Sequence, residues 1–320
     1  MTHHDHEHNH NHGQHGHLHG VGVAATGAAF GVGVALNVAF VVIESVAGFL
    51  VHSMALVADA AHNLGDVLGL LLAWGAAVLA RRPPSSRRTY GLRRGTILAA
   101  LTNAVLLLVA VGVVCRDAVH RLGALQPVPG VTVILVAAAG VLVNGASAMM
   151  FHRSQKSDAN ARGAFLHLAS DALVSLAVVF AGFVMWRTHW WWLDPVMSLA
   201  VSVVIVGGTW SLLRDALDLS LDAVPKHIEL AAVRACLLAQ PGVLGVHDLH
   251  VWSLSTTDVA MTAHLMMTSG TSTRAFQASI DAAMLARFGI CHTTLQVEDP
   301  LDDAPACQHA SGCEVAPPAR

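Results

Sequence analysis

Two His-x-x-x-Asp pairs, His62 with Asp66 and His167 with Asp171, stand inside stretches of chain dominated by apolar residues. On an α-helix, residues four apart share a face about 6 Å apart along the axis, so each pair presents one imidazole and one carboxylate together. Two such helices set face to face bring two nitrogens and two carboxylates around one point. That donor set suits Zn²⁺, held at roughly 2.0–2.2 Å in a tetrahedron, and the two carboxylates cancel the charge of the ion. It lacks the thiolates of tightly held structural sites and is divided between two helices, which favours release as well as capture. Metal binding requires deprotonated ligands, so metal and protons compete for the same atoms. This competition is the physical core of a metal/proton antiport, in which an inward proton gradient drives metal out of the cytoplasm.

The plain alternative is that these residues are interhelical hydrogen-bonding glue. Repeated ionisable pairs in hydrocarbon are too costly to favour that reading. Asp59 lies on the same face as His62, where an entrance or supporting role and a capping or packing role stand side by side. Asn37, Glu44, Asn103 and Asn144 also fall within apolar stretches, as packing or pathway residues. Cys115, Met149 and Met150 read as filler. An intramembrane metalloenzyme would need an open metal position and a general base, and the His-Glu-x-x-His arrangement of metalloproteases does not occur, so no enzyme is expected.

The elements that must position these groups follow from composition. Of the 320 residues 54% are apolar and 12% charged, far from the roughly one quarter charged of an ordinary soluble domain. Apolar stretches at about 27–50, 54–80, 95–115, 129–151, 164–186 and 191–213 each approach the ~20 residues that cross ~30 Å of hydrocarbon. A six-helix transmembrane bundle is therefore expected in the lipid bilayer, with both termini on one side. Arg81, Arg82, Arg87, Arg88, Arg93 and Arg94 lie between the second and third stretches, and Arg153, Lys156 and Arg162 between the fourth and fifth. The opposite breaks hold only Arg116, Arg121 and Arg187. The positive-inside rule makes the Arg-rich breaks and both termini cytoplasmic. A net charge of -3 without a basic groove excludes nucleic acid as a partner, and no removable signal peptide is expected.

After about residue 214 the pattern becomes that of a small α+β domain. A helix at 226–239 stops at Pro241 and Gly242; strands follow at 243–254 and 259–267, a helix at about 272–287 and a strand at 291–298. This αββαβ order suggests an open sheet with helices on one face. The resulting division is a histidine-rich tail at 1–25, the membrane domain at 26–214, the α+β domain at 215–300 and a tail at 301–320. Nine of the 21 histidines fall within residues 1–20, spaced by Asp, Glu, Asn and Gly, which suits weak metal gathering better than a tag or a merely solvated end. The five cysteines are odd in number and scattered, which disfavours a disulfide framework. Only Cys307-x-His309-x-x-x-Cys313 invites a ligand reading, against that of a tail with incidental cysteines.

Several segments carry a resemblance: ALNVAFVVIESVAGFLVHSMALVADAAHNLGD, TYGLRRGTILAALTNAVLLL, NARGAFLHLASDALVSL and VHDLHVWSLS. Together they resemble the cation diffusion facilitator family, particularly its bacterial zinc efflux members and their animal relatives. The resemblance implies six transmembrane helices with cytoplasmic ends, a ferredoxin-like C-terminal domain, a homodimer and proton-coupled zinc export from the cytoplasm across the plasma (inner) membrane. It carries the transport site onto His62, Asp66, His167 and Asp171. It implies further ligands at His247, His264 and Glu298, with His250 and His292 nearby; apart from the resemblance, the segment with Cys307 and Cys313 could reach such a site and would tighten it with thiolates. Strict strand alternation sets His247 and His250 on opposite faces, so a bulge or a partner chain is needed to unite them. In this family the His-Asp pairs go with a preference for zinc; Cd²⁺, Co²⁺ or Ni²⁺ by the same mechanism, and a membrane metal sensor without transport, are the alternatives. Many relatives carry histidines between the fourth and fifth spans, where this chain has HRSQKSDANARG.

Overall fold

A computed structural model describes residues 28–152, 155, 159–267 and 274–298. The helices α1 (Ala28–Leu50), α2 (Met54–Ala80), α3 (Gly95–Gly123), α4 (Gly130–Phe151), α5 (Ala159–Thr188) and α6 (Leu193–Ser220) come first. Among the described residues, the five helices from α2 to α6 are long and apolar enough to cross a membrane, while α1 is described with its side chains from Asn37 onward. Outward faces carry Ile43, Leu71, Trp74, Leu142, Phe180 and Val203, all exposed. In water such a surface would drive association; acyl chains solvate it instead.

α3 and α6 run beyond the apolar stretches that announce them, to Gly123 and Ser220 rather than residues 115 and 213. The apolar window ends where the hydrocarbon should end, whereas the i→i−4 backbone ladder continues through Arg116, Asp117 and Arg214 without needing apolar side chains. At the other termini the stops are local. Pro83 and Pro84 lie just beyond α2, where a helix cannot continue.

The start of α2 is held by a residue 140 positions away. Asp194, fully buried in the first turn of α6, accepts from the Ser53 hydroxyl at 2.5 Å, from Met54 N at 2.6 Å and from Ala55 N at 3.3 Å. Ser53 itself caps Leu56 N at 3.3 Å. These bonds satisfy first-turn amides that would otherwise be orphaned in an apolar setting. α4 and α5 form a second close pair. A Cβ on Gly130 would stand 2.7 Å from the Gly182 carbonyl oxygen and 2.8 Å from Trp186 N, so only a glycine lets the two backbones approach this far.

The C-terminal domain follows as α7 (Leu230–Leu238), β1 (Val243–Ser253), β2 (Val259–Met267), α8 (Arg274–Phe288) and β3 (Ile290–Glu298). α7 starts four residues later than the expected helix at 226, because a Pro225-to-Ile228 turn precedes it. The sheet order is β1-β2-β3, the first pair antiparallel and the second parallel. Val259, Met261, Ala263, Leu265 and Met267 of β2 are all buried in one core with Val233 and Leu237 of α7 and Ile280 and Met284 of α8. Both helices therefore share one sheet face, and the alternate residues Thr262 and His264 belong to the other. Arg94 pairs with Asp222 at 2.6 Å, Arg93 with Asp258 at 3.2 Å, and Thr256 N donates to Thr96 Oγ1 at 3.0 Å, which joins this domain to the beginning of α3.

Candidate metal centre

α2 brings His62 and Asp66 to one face, and α5 does the same with His167 and Asp171. The two faces meet. His62 Nε2 lies 3.3 Å from Asp171 Oδ1 and 3.7 Å from Asp66 Oδ2, while His167 Nε2 lies 3.2 Å from Asp66 Oδ2 and 3.6 Å from Asp171 Oδ2. The two rings stand edge to face with centroids 6.0 Å apart. For ligands at roughly 2.0–2.2 Å from a tetrahedral ion, neighbouring donors stand about 3.3–3.6 Å apart. The nitrogen–oxygen separations already have the size of those edges. One donor atom from each of His62, Asp66 and Asp171 falls within 4.8 Å of the other two.

The surrounding packing is unequal. α2 lies chiefly against α3, α1 and α6, and α5 chiefly against α4, so α2 and α5 touch each other only narrowly around this site. The Asp171 side chain is only 6% exposed and that of His167 36%, so the centre is deep on one side and open on the other. Asp59 stays out of the donor group; fully buried, it accepts from Ser175 Oγ of α5 at 3.0 Å. Asn103 faces Gly69, where a Cβ would meet its amide nitrogen at 2.7 Å, and so serves α2–α3 packing.

A second cluster lies on the sheet face away from α7 and α8. His247 Nε2 is 2.8 Å from Glu298 Oε2, His264 Nδ1 is 2.9 Å from Glu298 Oε1, and the two rings have centroids 5.1 Å apart. A β-bulge between His247 and His250 resolves the alternation conflict: His247 pairs with His264 and His250 with Thr262, so both histidines share this face. The added residue is Asp248, with φ +48°, a left-handed conformation that Asp tolerates better than most residues. Its carboxylate reaches His250 Nε2 at 3.0 Å and His264 Nε2 at 3.4 Å.

Sequence reasoning missed Asp248. Its signal was available, since two histidines wanted on one face but three residues apart require one extra residue between them. His292 does not join the cluster; it pairs with Ala260 and stacks edge-on against Tyr90 at 5.5 Å. Cys307 and Cys313 lie outside the described residues, as does the N-terminal histidine run.

With both clusters in view, comparison with known proteins decides the family. The family model for the cation efflux transmembrane domain matches residues 31–219, and that for the cation efflux protein, cytoplasmic domain, matches residues 225–300. The chain belongs to the cation efflux family. As a cation efflux protein it is 34% identical to the metal cation efflux system protein CzcD of Cupriavidus metallidurans over 280 residues, 87% of this chain and 89% of that one. It is 34% identical to the zinc transporter ZitB of Escherichia coli over 286 residues, 89% of this chain and 90% of the relative. Similarity extends to the human proton-coupled zinc antiporter SLC30A2, 28% identical over 291 residues, 87% of this chain and 78% of that protein. This cation efflux chain is a multi-pass membrane protein.

Proposed function

We propose that this chain is a carrier, not an enzyme, that exports Zn²⁺ from the cytoplasm in exchange for protons, with the ion held by His62, Asp66, His167 and Asp171. The observation that carries the reading is the closed ring of imidazole–carboxylate approaches between α2 and α5, all between 3.2 and 3.7 Å. Two imidazoles and two carboxylates match zinc in donor type and charge. The same atoms accept protons when the ion leaves, which couples the two fluxes. The names of relatives, a zinc transporter and a proton-coupled zinc antiporter among them, support the same ion and coupling. Imidazole also takes Co²⁺, Ni²⁺ and Cd²⁺, so these ions are the alternative cargo.

In this reading α1, 23 residues long, is the sixth span, both termini are cytoplasmic, and the protein sits in the plasma (inner) membrane. The C-terminal region is a ferredoxin-like cytoplasmic domain that dimerises; the description of its family model as a cytoplasmic domain supports that side. His247, His264 and Glu298 bind a regulatory or structural zinc, with Cys307 and Cys313 as further ligands. The N-terminal histidines gather metal.

The test is zinc uptake into proteoliposomes under an imposed proton gradient, with Cd²⁺, Co²⁺ and Ni²⁺ run in parallel. Wild type should accumulate zinc, and Asp66→Ala and Asp171→Ala should not. Wild-type uptake by either variant defeats the assignment.

A further inference from the structure

Glu44 of α1 and Asp59 of α2 are fully buried, and neither belongs to the four ligands. Their carboxyl groups lie within hydrogen-bonding reach of one another. Glu44 Oε2 accepts from Asn63 Nδ2 at 3.1 Å, and Asp59 Oδ2 accepts from the Ser175 hydroxyl at 3.0 Å. That leaves Glu44 Oε1 and Asp59 Oδ1 as buried oxygens with no donor among the described residues. Two carboxylates have no hydrogen to offer each other, and two adjacent negative charges in hydrocarbon are costly. One proton placed between them removes one charge and gives both orphaned acceptors a partner.

No lysine or arginine faces this pair among the described residues. The charged groups that act on Asp59, besides Glu44, are His62 from its own helix and Asp171 from α5. α4, packed against α1, contains no ionisable side chain. Those of α3 and α6, namely Cys115, Arg116, Asp117, His120, Arg121, Asp194, Arg214, Asp215 and Asp218, lie toward the helix ends. The position is equally specific. Asp59 precedes His62 by three residues and Ser175 follows Asp171 by four, so the pair sits about one helical turn from a ligand on each helix.

We propose that Glu44 and Asp59 share one proton and form a proton store beside the metal site, delivering it to the ligands as the metal leaves. An O–H bond of the pair breaks, an O–H or N–H bond forms on a ligand freed of its ion, and water later returns a proton to the pair. One such transfer restores one of the two positive charges lost with Zn²⁺, and a second transfer, after hydronium from the aqueous phase has refilled the pair, restores the other. The inference rests on the carrier reading above and extends its proton path to α1, which supplies none of the four ligands.

Two measurements on the full chain in lipid test it. Infrared spectra of the zinc-loaded protein at neutral pH should show a protonated-carboxyl band, since zinc keeps Asp66 and Asp171 as carboxylates. Isotopic labelling of glutamate carboxyls should shift that band without any substitution, because Glu44 is the one glutamate within helices α1 to α6. A band that is absent, or that ignores the label, overturns the shared proton. In proteoliposomes Glu44→Gln and Asp59→Asn should bind zinc yet lose accumulation driven by the proton gradient, with partial recovery in Glu44→Asp. Full proton-driven accumulation by Glu44→Gln sinks the store alone. A wild type that moves no zinc under the gradient sinks the carrier reading first and the store with it.

Discussion

His167 Nε2 approaches Asp66 of the facing helix at 3.2 Å, closer than the 3.6 Å to Asp171 on its own helix. His62 repeats the relationship, at 3.3 Å to Asp171 and 3.7 Å to Asp66. Each imidazole is thus paired more tightly across the helix interface than along its helix. Loss of either histidine should therefore disable the whole centre. His62→Ala and His167→Ala should each weaken zinc binding by more than the roughly 10–100-fold that outer-shell changes cost. Isothermal titration of the purified protein checks this, and an unchanged affinity in either variant would contradict the shared site.

Zinc affinity should fall as pH falls. The ion binds only deprotonated ligands, so protonation of imidazole or carboxylate withdraws sites from the metal and lowers apparent affinity. Protons should be released on binding at constant pH. Titrations in two buffers of different ionisation enthalpy count them, and a count of zero would rule out competition.

Asp194 serves three donors at the start of α2. Asp194→Ala leaves the Ser53 hydroxyl and two buried amides unsatisfied, at about 1–3 kcal/mol for each buried group left unpaired. Thermal unfolding in detergent should show a clear loss of stability for Asp194→Ala and a smaller one for Asp194→Asn, whose remaining oxygen still accepts.

Gly130→Ala should cost more than Gly65→Ala, although both create contacts below 3 Å. At Gly65 the added methyl meets the tip of Leu107 at 2.6 Å, which can turn aside; at Gly130 it meets backbone of α5. Overpacking of the yielding kind costs about 1–3 kcal/mol. Equal melting temperatures for the two variants would show that α4 and α5 separate freely.

In the C-terminal domain Asp248→Ala should lower zinc occupancy of the sheet-face cluster, measured in a His62→Ala background so that the membrane site is silent. Asp248→Gly, which keeps the left-handed backbone at no steric cost, separates loss of the carboxylate from loss of the bulge. If both variants retain full occupancy, the carboxylate is not a ligand.

Much of the centre was readable beforehand because a helix has one period. Four-residue spacing places His62 with Asp66, and His167 with Asp171, whatever surrounds them, and the cost of ionised groups in hydrocarbon marks them as purposeful. The Glu44–Asp59 contact was not readable as a contact, since the axial register of α1 against α2 depends on packing and not on the local pattern of either helix. A bulge was legible as one way to unite His247 and His250, but its place at Asp248 and that residue's approach to the histidines were not, because alternation describes regular strands and does not say where a residue is inserted. Helix ends at Gly123 and Ser220 escaped because hydropathy reports the surrounding solvent and not the backbone ladder.

The tie from Asp194 to the first turn of α2 also limits how this molecule can change shape. An acid clasping three donors cannot slide along a rod without dropping them, so α2 and α6 travel as one body. The glycine-tight seam between α4 and α5 yokes those two rods in the same way. In the carrier reading proposed above, exposing the cargo to first one and then the other compartment would be a matter of one yoked couple tilting past the other, with the narrow α2–α5 contact as the pivot.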